Sequence, residues 1–239
     1  MTERLTTRWV VLDIEGTMTA TSQVHVVLYD YARPRLGPWI DEHPEDPRVT
    51  EAVAAVREEG GLPADAPTGE VVRVLHSWMD EDKKAAPLKT LQGLIWEQGY
   101  ARGELTSEYF PDVVPALQEW RDRGLELAVF SSGSVAGQIA SFSNTTEGDL
   151  RPFFRHHFDT VNAGPKREAA SYHAIAQGLG DPLPSEILFL SDVPAELDAA
   201  KTAGWQVVGL ARAGEPYEKA DFGLHRTVAS FADLEIARG

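Results

Sequence analysis

The sequence predicts an α/β fold, a doubly wound parallel sheet with an all-helical cap inserted after its first strand. Three observations lead there. The apolar run Val10-Val11-Leu12 stops abruptly at Asp13-Ile14-Glu15-Gly16-Thr17, a strand running straight into an acidic turn. From Phe110 onward, short apolar runs alternate with helical periodicities long enough to serve as crossovers. Between the two, residues 18–101 carry helical spacing and no convincing strand. The expected division is a core of residues 1–17 and 102–239 and a cap of residues 18–101.

The first strand is expected at residues 8–12, ending at Asp13. In the cap, Val24, Val27, Leu28 and Tyr31 recur at helical spacing, with Pro34, Gly37 and Pro38 expected to end that helix. Val49, Val53 and Val56 mark a second helix, stopped by Gly60-Gly61. Val71, Val74, Leu75 and Trp78 mark a third, and Leu88, Leu91 and Ile95 a fourth. Residues 41–47 and 62–69 read as Pro-rich linkers. In the core, Pro111-Asp112 opens a helix through Val113, Leu117 and Trp120. Strands follow at residues 125–130, 157–161, 186–190 and 206–210, separated by helices carrying Ile139, Tyr172 and the stretch before Gly204. A short helix is expected near residues 231–236.

Composition narrows the class of function. The chain carries 22 basic against 37 acidic residues, a net charge of −15. A nucleic acid or an anionic membrane needs a basic footprint, so neither is an expected partner. A phosphate ligand would need a local positive site, since salt screens the long-range repulsion only beyond about 8–10 Å. There is no cysteine, hence no disulfide and no thiolate chemistry. With no apolar run of membrane-spanning length and no leader-like start, a cytoplasmic protein is expected.

Four polar clusters fall at or beyond predicted strand ends: Asp13/Glu15, Ser131/Ser132, Lys166 and Asp192/Glu196. In a parallel sheet these ends share one edge, where ligands bind. Asp13 and Asp192 suit Mg²⁺, which takes a few carboxylates, waters and a substrate phosphate. Asp192 before Val193-Pro194 equally suits a helix-capping acid, and Glu196 suits either support of the metal or the helix dipole. Ser131-Ser132-Gly133-Ser134 offers hydroxyls and backbone N–H groups to a phosphate, or an ordinary serine cap. Lys166 supplies a point charge, unless it is merely solvated on its turn. Together these parts permit phosphoryl transfer through an aspartyl-phosphate. Asp13 attacks, Mg²⁺ and Lys166 offset charge, Ser131 and Ser132 position the phosphate, and Glu15 exchanges protons with the leaving alcohol and the water.

In that order the clusters resemble the four motifs of the haloacid dehalogenase-like hydrolases. Asp13-Ile14-Glu15-Gly16-Thr17 is similar to the nucleophile motif D-x-D-G-T, and Asp192 to Glu196 to the motif D-x-x-x-D/E. The chain further resembles the enolase-phosphatase (acireductone synthase) family, which carries glutamate at the position of Glu15. The segments 89–96, 103–105, 131–135, 148–150, 158–160 and 191–200 also look like that family. The resemblance implies an all-helical cap on a haloacid dehalogenase-like core and a small phosphorylated diketone substrate, 2,3-diketo-5-methylthiopentyl-1-phosphate. The substrate would be enolised and then dephosphorylated to the acireductone, in methionine salvage. It also implies Mg²⁺ held by Asp13, Asp192 and the main-chain carbonyl of Glu15, substrate held by Ser131, Ser132 and Lys166, and a monomer.

The chain departs from the family chiefly in the first cap helix. Gln23-Val24-His25 stands where the family reads Phe-Val-Lys, Tyr29-Asp30-Tyr31 where it reads Phe-Pro-Tyr, and Met18 where it has threonine. These positions are expected to line the pocket over the substrate. They keep open a phosphatase of the same superfamily acting on another small phosphorylated metabolite. A metal-free dehalogenase and a non-catalytic binding protein are the weaker alternatives, since Glu15, Asp13 and Lys166 are all present. His156-His157 should point to opposite sides of a strand, and Lys83-Lys84 should be solvated surface. Hinges near Met18 and Ala101 would allow the cap to close.

Overall fold

The computed structural model describes residues 4–83 and 85–239, and Lys84 lies outside them. Contacts divide the chain into two compact units. One runs to Thr21 and resumes over Ser107–Gly239, and the other spans Ser22–Thr106. The sequence set these junctions several residues earlier in each direction of crossing. They fall later because the crossing segments pack within the first unit. Met18 is fully buried in its core, the Phe110 amide donates to the Met18 carbonyl at 2.9 Å, and Thr19 Oγ1 donates to the Glu108 carbonyl at 2.5 Å.

The first unit is built on a six-stranded sheet. Its strands are β2 (Trp9–Leu12), β3 (Glu126–Phe130), β4 (His156–Phe158), β5 (Ile187–Ser191), β6 (Gln206–Leu210) and β7 (Thr227–Val228), in the order β4-β3-β2-β5-β6-β7. Every ladder is parallel. Central strands of such a sheet are buried on both faces, which is why they read as continuous apolar runs. Alternate residues then serve opposite cores. Val10, Leu12, Leu127, Val129, Leu188 and Leu190 pack with the helix Val113–Asp122 and with Phe142 of the helix Val135–Ser143. Trp9, Val11, Ala128, Phe130, Ile187 and Phe189 pack against the helices Ala169–Gly178 and Pro194–Thr202. Burying each large apolar side chain contributes about 1.5–3 kcal/mol, so the strand that carries Asp13 is anchored from both sides.

The second unit holds only helices among its described residues. Leu36, Val49, Val53, Val56, Val71, Leu75, Leu88, Leu91 and Ile95 form its core. Three of its helices, Pro47–Glu59, Thr68–Asp80 and Ala86–Ala101, follow the expected periodicity. The first one does not end at Pro34, Gly37 or Pro38. A π-helical turn at Gln23–Leu28 leads through Tyr29–Ala32 and a 3-10 turn at Arg33–Arg35 into Leu36–Glu42. Pro38 sits in the first turn of that last helix, where an N–H has no intrahelical acceptor to lose.

Other departures lie at the ends of elements. β4 stops at Phe158 rather than at Val161, because the Asp159 carboxylate accepts the Val161 and Asn162 amides, both at 2.9 Å, and turns the chain. The expected helix at residues 231–236 is a 3-10 turn at Phe231–Asp233 followed by a strand, β8 (Ile236–Arg238). That strand pairs in parallel with β1 (Leu5–Thr7), which the sequence reading missed along with β7. No helix among the described residues is long and apolar enough to cross a membrane.

Candidate active site

The sheet register sets Leu12 beside Val129 on one side and Leu190 on the other. The residues that follow those positions therefore emerge along one edge. The Asp13 amide extends the ladder by donating to the Leu190 carbonyl at 3.0 Å. Of the sequence-predicted residues, the structure brings Asp13, Lys166, Asp192 and Glu196 into one buried cluster, each 3–8% exposed. Lys166 Nζ lies 2.5 Å from Asp13 Oδ1 and 2.7 Å from Glu196 Oε2.

Lys166 is thus not a solvated surface lysine. Its turn is pinned from the helix that follows: Ser171 Oγ donates to the Pro165 carbonyl and Tyr172 Oη to the Lys166 carbonyl, both at 2.7 Å. Gly164, at φ +110°, brings the turn close to Ser171, where a Cβ would collide with its hydroxyl. Sequence reading saw Tyr172 only as a core position. Burial raises the Tyr172 phenol above its ordinary value, with Glu196 and Asp13 adding to it, so it stays a donor. Glu196, in the first turn of the helix Pro194–Thr202, is the second partner of Lys166, a pairing its spacing does not reveal, and is oriented by a 2.8 Å hydrogen bond from Ser191 Oγ.

Thr17 ties the acids together. Its Oγ1 donates to Asp13 Oδ2 at 3.3 Å and accepts the Asp192 amide at 3.0 Å. Gly16, at φ +71°, is required here, because a Cβ would overlap the Asp192 carboxylate. Asp192 does not cap the following helix: the cap position is Val193, with no side-chain cap bond. Asp192 Oδ1 is buried and has no hydrogen-bond partner among the described residues.

Ser131 leaves β3 buried, its amide donating to the Phe158 carbonyl at 3.1 Å, while Ser132 is exposed beside it. The turn is more internally satisfied than its sequence suggests. Ser131 Oγ accepts the Gly133 amide, Asp159 accepts that of Val135, and Ser134 Oγ caps the helix through Gly137. Gln138 Nε2 donates to the Gly133 and Phe158 carbonyls, each at 2.9 Å, fixing the loop's shape. Glu15 sits half-buried in the turn beyond Asp13. Of the departures from the family pattern, Met18 does not line a pocket; it is core. Within the second unit, Gln23 Nε2 donates to the Thr106 carbonyl, His25 lies 3.6 Å from Asp82, and Asp30 is exposed. His156 and His157 do face opposite ways, His156 against Trp9 and His157 against Phe142 and Phe154.

Three buried carboxylates around one ammonium set the electrostatics. Burial works to lower the Lys166 pKa, but Asp13 and Glu196 outweigh it and hold it above the ordinary lysine value. Burial raises Glu196, with Lys166 opposing. For Asp192, burial and then the Asp13 and Glu196 charges push the carboxyl up to about 8. The cluster holds more negative charge than its lysine can offset.

A sheet of this topology with a buried aspartate, lysine and acid pair at its carboxyl edge fits a haloacid dehalogenase-like hydrolase, and the model of that family matches residues 7–204. Two curated relatives narrow the assignment. Enolase-phosphatase E1 of Saccharopolyspora erythraea is 71% identical over 99% of this chain and 98% of its own length. Its counterpart from Streptomyces avermitilis is 53% identical over 96% and 95%. Among solved structures, the UTR4 protein of Saccharomyces cerevisiae superposes with a TM-score of 0.76 at 25% identity, covering 94% of this chain and 98% of that one. The chain belongs to the enolase-phosphatase family of haloacid dehalogenase-like hydrolases, and is a phosphatase-type enzyme.

Enzymes of this family generally use a divalent cation, and the residues present fit one. The excess of buried carboxylates calls for a second positive charge, and the unpartnered Asp192 Oδ1 is an available ligand. Among the described residues no group of three or more His, Cys, Asp or Glu side chains converges as a closed metal cage.

A stability test follows from Asp192. Its folded-state pKa is raised, so its contribution to stability is full below the ordinary 3.8 and is lost as pH rises toward about 8. His157, lowered mainly by burial, acts oppositely, but only below its ordinary 6.5. Between pH 6.5 and 8, EDTA-treated protein is therefore expected to lose up to about 1.4 kcal/mol per pH unit. Millimolar Mg²⁺ should restore most at pH 8. A melting temperature that stays flat or rises over this window in EDTA would contradict the charge assignment.

Proposed function

We propose that the protein is a Mg²⁺-dependent enolase-phosphatase of methionine salvage. It converts 2,3-diketo-5-methylthiopentyl-1-phosphate to the acireductone, acting as a cytoplasmic monomer on a small phosphorylated substrate. The observation that carries this reading is full-length identity of 71% to an enolase-phosphatase, with the Asp13–Lys166–Glu196–Asp192 cluster intact.

In this reading Asp13 Oδ2 attacks the phosphorus, because Oδ1 is held by Lys166 at 2.5 Å. The bond to the leaving oxygen breaks and a phosphoryl group is carried on Asp13. Asp13, Asp192 and the Glu15 main-chain carbonyl would hold Mg²⁺, which would supply positive charge to offset the phosphoryl oxygens. Lys166 adds a fixed ammonium, kept from wandering by Glu196. Ser131 and Ser132 hydrogen-bond the phosphate from the adjacent strand end. Glu15 gives a proton to the leaving enol oxygen and then takes one from the water that hydrolyses the aspartyl-phosphate. The sequence departures at Gln23, His25 and Asp30 favour one rival, a phosphatase of the same type acting on another small phosphorylated metabolite.

One experiment separates these readings. The diketo-phosphate is supplied with Mg²⁺ while enol absorbance and phosphate release are followed together. The enol signal is expected to rise before phosphate appears. Phosphate with no preceding enol would leave a plain phosphatase. No reaction, beside turnover of another phosphomonoester, would establish the rival substrate.

A further inference from the structure

We propose that Arg212 is a positioning residue for the reaction: it fixes the Thr17 turn through which Asp13 and Asp192 keep their register. The inference rests on the function proposed above. Arg212 lies two residues beyond β6, a fifth polar strand end on the same edge of the sheet, and is 5% exposed. Its Nε donates to the Thr17 carbonyl at 2.6 Å. Its Nη1 donates to both oxygens of Asp112, at 3.0 and 3.1 Å. The guanidinium sits near two rings, 4.2 Å from the Phe110 centroid and 4.9 Å from that of Phe231.

The placement matters because of what Thr17 does. The same residue whose carbonyl Arg212 holds uses its hydroxyl to bridge Asp13 Oδ2 and the Asp192 amide. Displacing the Thr17 backbone therefore moves both acids. Asp112 is equally committed. Besides Arg212 it accepts the Ser230 hydroxyl at 2.7 Å and the Phe231 amide at 2.6 Å. Arg212 and Asp112 together thus tie three segments, the turn at Thr17, the start of the helix Val113–Asp122 and the C-terminal turn at Ser230.

Stability alone is a poor account of this residue. A buried ion pair often adds little over an apolar replacement, and Arg212 Nη2 is buried with no partner among the described residues. What an apolar side chain could not supply is a rigid fork spanning Thr17 and Asp112 at once. Lysine, with one ammonium, cannot reproduce that fork.

The test compares wild type with Arg212→Lys, Arg212→Ala and a control, Arg123→Ala. Arg123 donates to the Ile236 carbonyl beside β8, remote from the cluster. Arg212→Lys is expected to lower kcat by roughly 10²-fold, as an ångström-scale misplacement does, with KM within about threefold. Mn²⁺ affinity, read by electron paramagnetic resonance without substrate, is expected to weaken by about tenfold. In Arg212→Ala, millimolar guanidinium is expected to raise kcat at a temperature well below melting, where the variant is already folded. Arg123→Ala is expected to lose stability with kcat unchanged.

The proposal is overturned if Arg212→Lys keeps wild-type kcat and Mn²⁺ affinity. It is also overturned if its losses merely track a fall in melting temperature and guanidinium rescues nothing. Should Arg212→Ala fail to fold, the lysine variant and its Mn²⁺ titration decide. Wild type that binds Mn²⁺ but leaves the diketo-phosphate untouched would sink the proposed function, while the Mn²⁺ arm still judges Arg212.

Discussion

Asp13→Asn is expected to remove turnover by on the order of 10⁴-fold or more while leaving the metal-free protein as stable as wild type, or more so. The activity loss follows if Asp13 Oδ2 is the attacking atom, since an amide is not a competent nucleophile. Four decades in rate correspond to about 5.4 kcal/mol of transition-state stabilisation. The stability follows from the charge count. Removing the Asp13 charge leaves Lys166 its 2.7 Å pair with Glu196. It also removes one of the charges that push the Asp192 carboxyl up to about 8. In EDTA at pH 8 the variant should therefore melt higher, at roughly 2–4 °C per kcal/mol gained for a chain of this size. Adding Mg²⁺ should help wild type more than the variant. Steady-state phosphate release and paired melting curves check both halves. Turnover within a hundredfold of wild type would dismiss Asp13 as nucleophile, and a lower metal-free melting temperature would dismiss the charge argument.

How much of this was legible beforehand differs by residue. The strand before Asp13 was plain because both of its faces are buried, leaving four apolar residues in a row at Trp9–Leu12. The shared edge followed from parallel connectivity, so Asp13, Lys166, Asp192 and Glu196 were predicted to meet. Their pairing was not. Whether Glu196 turned to a metal or to Lys166 depends on a turn held by Tyr172 and Ser171, and sequence spacing does not encode that. Arg212 was missed although the same rule, a polar residue beyond an apolar strand, applied to it. The β1–β8 ladder was invisible for a different reason. It joins three-residue strands from opposite ends of the chain, Leu5 against Ile236, too short to carry a period. The continuous first helix of the second unit was hidden by Pro34 and Pro38, whose usual breaking effect is absent in first turns and 3-10 segments.

Lys166→Met is the complementary experiment, and it is expected to fail in both stability and rate. Methionine fills much of the lysine's volume near the Phe130 ring, whose centroid is 5.7 Å from Nζ, so the loss is chiefly electrostatic. Asp13 and Glu196 are then left buried with no cation between them. Removing one member of a buried pair costs about 3–5 kcal/mol, a large share of the roughly 5–15 kcal/mol that holds a domain together. The loss should depend on pH. Glu196 and Asp192 are already raised by burial, so at low pH they take up protons and relieve the repulsion. Urea denaturation in EDTA is expected to show a large deficit at pH 8 and a smaller one at pH 5.5. An equal or greater deficit at the lower pH would mean that Lys166 stabilises by packing rather than by charge. On the folded fraction, kcat is expected to fall by about 10²–10³-fold, as when a fixed electrostatic donor is lost from a site. Lys166→Arg should not restore it, since the larger planar guanidinium has to fit a site that leaves lysine only 8% exposed. Full activity in the arginine variant would show that positive charge alone is required there, and that the 2.5 Å and 2.7 Å geometry about Nζ is incidental.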